Sequence, residues 1–593
     1  MKRGQCFGSV INVLIACMLG GAFSVSAQNT LSLNVGGATH TISKALYGVL
    51  MENYGRCIYN GVFVGTSSPI PNTAGMRNDV IEGFKEAGIG CIEWPGGCFA
   101  DKYHWQDGIG AQSSRPGGEM QNGLGTPEFF MLCSLTNAYA YPTANIQSGS
   151  SAEMNAWLNY IHDVPGWWSN MPFWKIGNEE WSPCGDMTQS QYQTKFDQWY
   201  DAEPEWATSE VMHIMDGGSG GGWVSADASY AQGNSGPMGI SYHMYAVTDW
   251  NNKGPSSGFS EAQYYTQLQK AWSMDNNVKN FNMPEKVALC VDEWGAWYNA
   301  VSGLGTDFNW STVRDAIIAG LNLNIFNNRC NRVKMALVAQ PVNVIQSLMV
   351  TENSGERRMR KTPVFWVFKM FKPHQGAKMV PASMATSNNQ NIPILTASAS
   401  IDAANSLHIS IVNTHATSDQ NLTISLTNMP SDLSYESNEW SGEIVNGQSI
   451  TSGITSFTAT DTAGLGSFSD FEASGTSITA KLPAHSVVML TAAKPTGFAV
   501  PVAAAKAVGT YSITAAQGGK IIVGYTATRT MPLRCTLYGI DGRMIVEPFN
   551  GTLEAGRNTF VWQPKKGNLG TNAYIVRMET GGVVLSKHIV LTR

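Results

Sequence analysis

Between residues 45 and 377, short apolar runs alternate with stretches in which apolar side chains recur every third or fourth position. The runs predict strands at 47–52, 89–94, 140–147, 172–178, 211–216, 240–245, 287–293 and 335–340. Near-continuous apolarity, rather than alternation, is the mark of parallel strands covered on both faces. The periodic stretches predict helices at 79–87, 127–136, 152–161, 189–200, 203–210, 261–273 and 312–327, with 363–371 closing the series. Strands and helices in this alternation predict an α/β fold, a (β/α)8 TIM barrel over 45–377. After residue 378 the period changes to two. Runs such as 407–412, 422–426 and 486–491 are divided by Ser, Thr, Asn and Gly, which predicts an antiparallel β-sandwich over 378–493. Leu31, Leu33 and Val35 also alternate, so residues 28–44 are expected to add strands to that sandwich. Residues 494–510, rich in Ala, Pro and Val, form a linker, and 511–593 a small C-terminal β-module.

The first residues fit a different purpose. Lys2 and Arg3 precede an apolar stretch over 11–25, and Val25-Ser26-Ala27 fits a small-residue cleavage site, so 1–27 is expected to be a signal peptide. That segment predicts a secreted or outer-membrane surface protein, or a periplasmic one. Of ten Cys, two fall in this leader, and the other eight are scattered with no C-x-x-C spacing, so no zinc pattern is present. Most are expected to be small buried apolar residues. Charged residues make up only 14%, against the usual quarter or so, and the net charge is −6 with no basic run. Nucleic acid is therefore excluded as a partner. The 18 Trp suit stacking on sugar rings as well as ordinary core packing.

Two of the apolar runs end on acids. Phe173-Trp174-Lys175-Ile176 leads to Asn178 and Glu179, and Val287-Ala288-Leu289-Cys290-Val291 leads to Asp292 and Glu293. Barrel enzymes carry their chemistry at the C-terminal ends of strands. Two carboxylates on one rim can supply the proton and the nucleophile or base of glycoside hydrolysis. Asn178 and Trp297 stand close to these ends in the sequence, His243 and Tyr245 sit at the end of the run at 240–245, and all four are candidates to hold a sugar.

Lys175-Ile176-Gly177-Asn178-Glu179-Glu180-Trp181 resembles the acid/base motif of glycoside hydrolase family 51, the α-L-arabinofuranosidases. Val291-Asp292-Glu293-Trp294-Gly295 resembles that family's nucleophile motif. The likeness extends to Tyr47 through Glu52, to Trp94-Pro95-Gly96-Gly97, to Gly239 through Tyr245, and to Lys334 through Gln340. It implies an exo-acting, retaining hydrolase with Glu179 as acid/base and Glu293 as nucleophile. A retaining pair stands about 5 Å apart, Glu179 should start protonated and Glu293 ionised. Glu52, Asn178, His243, Tyr245, Gln340, Trp94, Trp297 and Cys98 are the implied substrate-binding residues. Cys98 stands where relatives commonly carry Asn, so it either contacts the sugar or is structural, bridged to Cys57. Glu180 reads as structural, with Asp292 and Glu93 in support. No metal or cofactor is implied. The implied partner is an arabinose-containing polysaccharide or oligosaccharide, and family relatives suggest a homo-oligomer. The C-terminal module resembles a type IX secretion sorting domain in Leu537 to Arg543, Leu553 to Asn558 and Ala573 to Met578, which implies the secretion machinery as a second partner. The alternatives are another retaining barrel glycosidase, an endoglucanase or xylanase, and a non-catalytic glycan-binding surface protein.

Overall fold

The computed structural model describes residues 29–352, 357–494, 510–516, 520–527, 530–539, 544–562, 572–580 and 583–591. The expected signal peptide and nearly all of the expected linker lie outside these residues. Eight parallel strands close into a barrel. In chain order they are Gly48–Leu50, Cys91–Trp94, Tyr139–Ala144, Phe173–Ile176, Met212–Met215, Met238–Ala246, Val287–Ala296 and Val333–Ala339. Four are buried along their whole length and the other four at all but one or two positions, which is why they read as unbroken apolar runs.

The sixth and seventh strands are the longest, at 9 and 10 residues, and carry the chain deeper into the rim. Their pairing slips between Cys290 and Glu293, beyond which Glu293 lies opposite His243 and Gly295 opposite Tyr245. Such an irregularity re-aims side chains at a barrel rim. Four of the helices start on side-chain caps: Ser150, Thr188, Ser260 and Thr362 each accept a backbone N–H of the first turn. Two helices escaped the periodicity, the single turn Glu119–Asn122 and the longer Gly221–Ala231. Gly221–Ala231 opens on glycines with no side-chain cap and buries Asp227 beside Val224 and Ala228, so neither signal marks it.

The helix Val313–Asn328 is buried along nearly its whole length. It packs on the barrel on one side and on Leu395–Ile401, Leu407–Asn413 and Ser486–Ala492 of the second domain on the other. A helix covered all round needs no polar stripe. The second domain stacks two sheets. Asn29–Asn34 runs parallel to Gln420–Thr427 and antiparallel to Ala382–Ala385, so the start of the described chain completes one of them. Leu31, Leu33, Ile409, Ile424 and Leu490 lie in the core between the sheets. C-terminal to it, a three-stranded and a four-stranded antiparallel sheet form the small β-module.

Candidate active site

Glu179 and Glu293 meet on the floor of a cavity of about 690 Å³ at the C-terminal end of the barrel. His243 stands between them. Its Nδ1 is 2.9 Å from Glu179 Oε1 and 3.4 Å from Glu293 Oε2. One atom from each of the three side chains lies within 4.8 Å of the others. Tyr245 donates its hydroxyl to Glu293 Oε2 at 2.7 Å. Ser182 donates to Glu179 Oε2 at 3.3 Å.

A second carboxylate group lies across the cavity. Glu52 Oε2 accepts from Gln340 Nε2 at 2.8 Å. Gly97 explains why the Pro-Gly-Gly turn faces Glu52: φ is 56°, and an added Cβ would sit 1.8 Å from Glu52 Oε1. Four polar atoms of residues that line the cavity are buried and lack a partner among the described residues: Asn178 Nδ2, Gln340 Oε1 and the indole Nε1 of Trp181 and of Trp297. A buried amide left unpaired is costly, and a sugar hydroxyl is the kind of group that would satisfy it.

Beneath the floor lies a buried ion cluster that the sequence did not reveal. Lys175 Nζ contacts Asp292 Oδ2 at 3.0 Å and Glu93 Oε1 at 3.6 Å, and donates to Asn178 Oδ1 at 2.8 Å. Burial opposes its charge, but Asp292 and Glu93 hold the ammonium above its ordinary range. Asp292 likewise stays well below the usual carboxylate range, despite burial, because Lys175 and His243 face it. Asp292 also accepts from Tyr141 at 3.0 Å and Ser241 at 2.7 Å. A lysine in the middle of an apolar strand was the available signal, since such a residue needs partners wherever the strand is buried.

Two expectations need correction. Trp94 does not line the cavity. It is 2% exposed and packs behind the rim, stacked on Phe129 and edge-on to Trp157 and Tyr103. Its neighbour in sequence, the Pro-Gly-Gly turn, reaches the site instead. Cys98 does line the cavity, but it is bridged to Cys184 and not to Cys57, which is buried and free. The bridge joins the turn after the second strand to the turn after the fourth, and the Cys184 sulfur lies 3.7 Å from Glu179 Oε2. Burial pushes Glu293 up to about 8, whereas His243 holds Glu179 below its ordinary range in spite of burial. Burial lowers the charge preference of His243 too, but Glu293, Asp292 and Glu179 around it hold it well above the usual histidine range.

Other candidates stand as follows. Trp297 lines the cavity and packs edge-on against Tyr245 at 5.1 Å. Trp250, absent from the sequence-based candidates, meets Trp297 edge-on at 5.6 Å and is 61% exposed at the mouth. Glu180 points away from the cavity, accepts from Gln147, and is pushed up to about 9 by burial and by Asp101.

A closed parallel barrel whose fourth and seventh strands deliver paired carboxylates to one cavity defines a glycoside hydrolase. Residues 292–486 match the family model of the α-L-arabinofuranosidase C-terminal domain. An intracellular exo-α-L-arabinofuranosidase of Bacteroides ovatus is 31% identical over 510 residues, 80% of this chain and 97% of that protein. A probable α-L-arabinofuranosidase C of Aspergillus fumigatus is 28% identical over 393 residues, covering 59% of this chain and 75% of its own. The crystal structure of a family 51 arabinofuranosidase from Xanthomonas axonopodis pv. citri superposes with a TM-score of 0.71 at 29% identity, covering 78% of this chain and 99% of that one. The chain belongs to the α-L-arabinofuranosidases of glycoside hydrolase family 51. The expectation of a secreted or surface protein is overturned by the Bacteroides ovatus relative, whose name places it inside the cell. Among the described residues, no helix is long and apolar enough to cross a membrane.

Proposed function

We propose that the enzyme removes terminal α-L-arabinofuranosyl residues from arabinoxylan, arabinan or related oligosaccharides by double displacement, with Glu293 as nucleophile and Glu179 as acid/base. The observation that carries this reading is the approach of the two carboxylates within 4.8 Å around His243. Retaining pairs stand about 5–5.5 Å apart and inverting pairs about 6.5–9.5 Å, the wider gap being needed for a water. A Glu293 oxygen attacks the anomeric carbon while the glycosidic oxygen leaves with the proton of Glu179. Water, deprotonated by Glu179, then displaces Glu293 and restores both groups. Tyr245 fixes Glu293 Oε2 for attack. Glu52, Asn178 and Gln340 hold the sugar hydroxyls.

The cycle starts with the proton on Glu179 and with Glu293 ionised. The three side chains titrate as one unit. Seating a sugar against Glu293 favours its ionised form, and His243 Nδ1, which faces both carboxylates, spans the transfer to Glu179.

The test uses 4-nitrophenyl α-L-arabinofuranoside and a panel of arabinose-decorated xylo- and arabino-oligosaccharides. Free arabinose should be released first as the anomer of the substrate. Glu179→Ala should hydrolyse activated aryl substrates and form the arabinosyl azide when azide is supplied. An inverted first product would overturn the mechanism. Long oligosaccharide products in place of arabinose would overturn the exo-acting reading.

A further inference from the structure

Glu179 is a non-glycine residue held in the left-handed region, with φ of 52°. That conformation costs roughly 1–2 kcal/mol and persists only where the surroundings impose it. The peptide groups on either side show what imposes it. The N–H of Asn178 donates to Asp101 Oδ2 at 3.2 Å, and the N–H of Glu180 donates to Asp216 Oδ2 at 2.6 Å. Both aspartates are buried, at 1% and 0% exposure, and neither lines the cavity.

Each is itself held. Asp101 Oδ1 accepts the N–H of Ile146 at 3.1 Å, at the end of the third strand. Asp216 follows the fifth strand, and its N–H donates to the Tyr192 hydroxyl at 2.8 Å. That hydroxyl donates in turn to the Ile176 carbonyl at 2.9 Å, at the end of the fourth strand. The turn carrying Glu179 is thus fastened to the strand on each side of its own.

We propose that Asp101 and Asp216 are positioning residues, a pair of buried carboxylates that grip the two peptide N–H groups flanking Glu179 and aim its carboxyl at the leaving oxygen. This rests on Glu179 being the acid/base. Hydrogen bonds to ionised carboxylates are stronger and shorter than neutral ones. Burial raises each aspartate to about 6, which leaves both ionised at neutral pH. A misaimed acid fails most where the leaving group needs its proton most.

The experiment compares the full-length enzyme with Asp216→Ala, Asp216→Asn, Tyr192→Phe and Glu179→Ala on aryl α-L-arabinofuranosides from 2,4-dinitrophenyl to phenyl. For Asp216→Ala, kcat/KM should fall about 10²-fold on the phenyl substrate and less than about tenfold on the dinitrophenyl one, with KM within about twofold. Asp216→Asn keeps an acceptor oxygen and should recover most of the loss. Tyr192→Phe should give the same signature at smaller size, and it decides the matter where Asp216→Ala does not accumulate as folded protein. Equal losses across the leaving groups in Asp216→Ala or Tyr192→Phe, beside a steep dependence in Glu179→Ala, would overturn the grip alone. A flat profile in Glu179→Ala would overturn the role of Glu179 itself and the inference with it.

Discussion

The molecule buries two large polar clusters on opposite sides of the barrel wall, and they are built on different rules. One lies where Val313–Asn328 meets the sandwich. His374 Nδ1 and Nε2 face Ser400 Oγ and Ser410 Oγ at 2.7 and 3.1 Å. Ser398 and Ser410 donate to Asn324 Oδ1 at 2.9 and 2.7 Å, and Tyr47 donates to Asn327 Oδ1 at 2.7 Å. Every member is neutral. The other cluster lies on and under the cavity floor and consists of Glu52, Glu93, Glu179, Asp292, Glu293, Lys175 and His243, all ionisable. It also leaves Asn178 Nδ2 and Gln340 Oε1 unpaired. A buried polar group that is neutral and fully paired specifies packing. One that carries charge and unspent hydrogen-bonding capacity toward a cavity is held ready for a ligand.

The sharpest break between the two comes from removing a charge. Glu293→Gln should lower kcat/KM about 10⁴-fold or more, since attack at the anomeric carbon is lost. The same change should leave the thermal midpoint unchanged or raised, because burial penalises the charge of Glu293 and a carboxamide escapes that penalty. Calorimetry beside kinetics tests both halves. A midpoint several degrees lower would show that Glu293 also serves packing. Lys175→Met should act in the opposite sense. It strands Asp292 and Glu93 in the core without their cation, which should cost about 3–5 kcal/mol in denaturant unfolding.

Titration separates the clusters by pH window. His374 sits at about 3 against an ordinary 6.5, because burial and the nearby His408 disfavour its charge. Between those values the unfolded chain binds a proton that the folded chain refuses. The contribution is therefore complete above 6.5 and is lost as pH falls, by about 1.4 kcal/mol per unit. His374→Gln should flatten the acid slope of unfolding free energy by that amount. An unchanged slope would place the acid sensitivity elsewhere. The cavity cluster should show itself on the alkaline side, in activity. The pair needs one proton, and Glu293 holds it up to about 8, so kcat/KM should fall as pH rises through that value.

The two clusters were not equally legible in the sequence. Glu179 and Glu293 were visible because each closes an apolar run, which is where strand ends place side chains. Asp216 closes the run of the fifth strand in the same way and went unread, since nothing in one sequence separates an acid that faces substrate from one that faces a peptide N–H. Asp101 lies in a turn and carries no pattern. Trp94 was misplaced because its own buried position and the rim turn after it are adjacent in the chain but not in direction. Cys98 was paired with the wrong partner because spacing along the chain does not report distance across a barrel. The eight strands were legible because covered parallel strands are apolar on both faces, whereas the helix at Gly221–Ala231 has neither cap nor stripe.

The neutral cluster was silent in the sequence, and its smallest member sharpens what that silence means. Ser398 Oγ donates to Asn324 Oδ1 at 2.9 Å, accepts from Asn327 Nδ2 at 3.0 Å, and stands 2.7 Å from Ser410 Oγ. A serine in a strand otherwise rich in Ala and Thr has no feature that distinguishes it from a surface position. Ser398→Ala leaves the Asn327 amide without its acceptor in a site that excludes water, while Ser410 still satisfies Asn324. The expected cost is about 1 kcal/mol in unfolding free energy, with kcat and KM unchanged. On a Tyr47→Phe background, which removes the hydroxyl that also donates to Asn327, Ser398→Ala combined with Asn327→Leu should recover part of that cost, because removing both partners removes the orphaned donor. Additive losses in the double variant would show that each side chain acts separately, and the cluster would then be a set of pairs rather than a network.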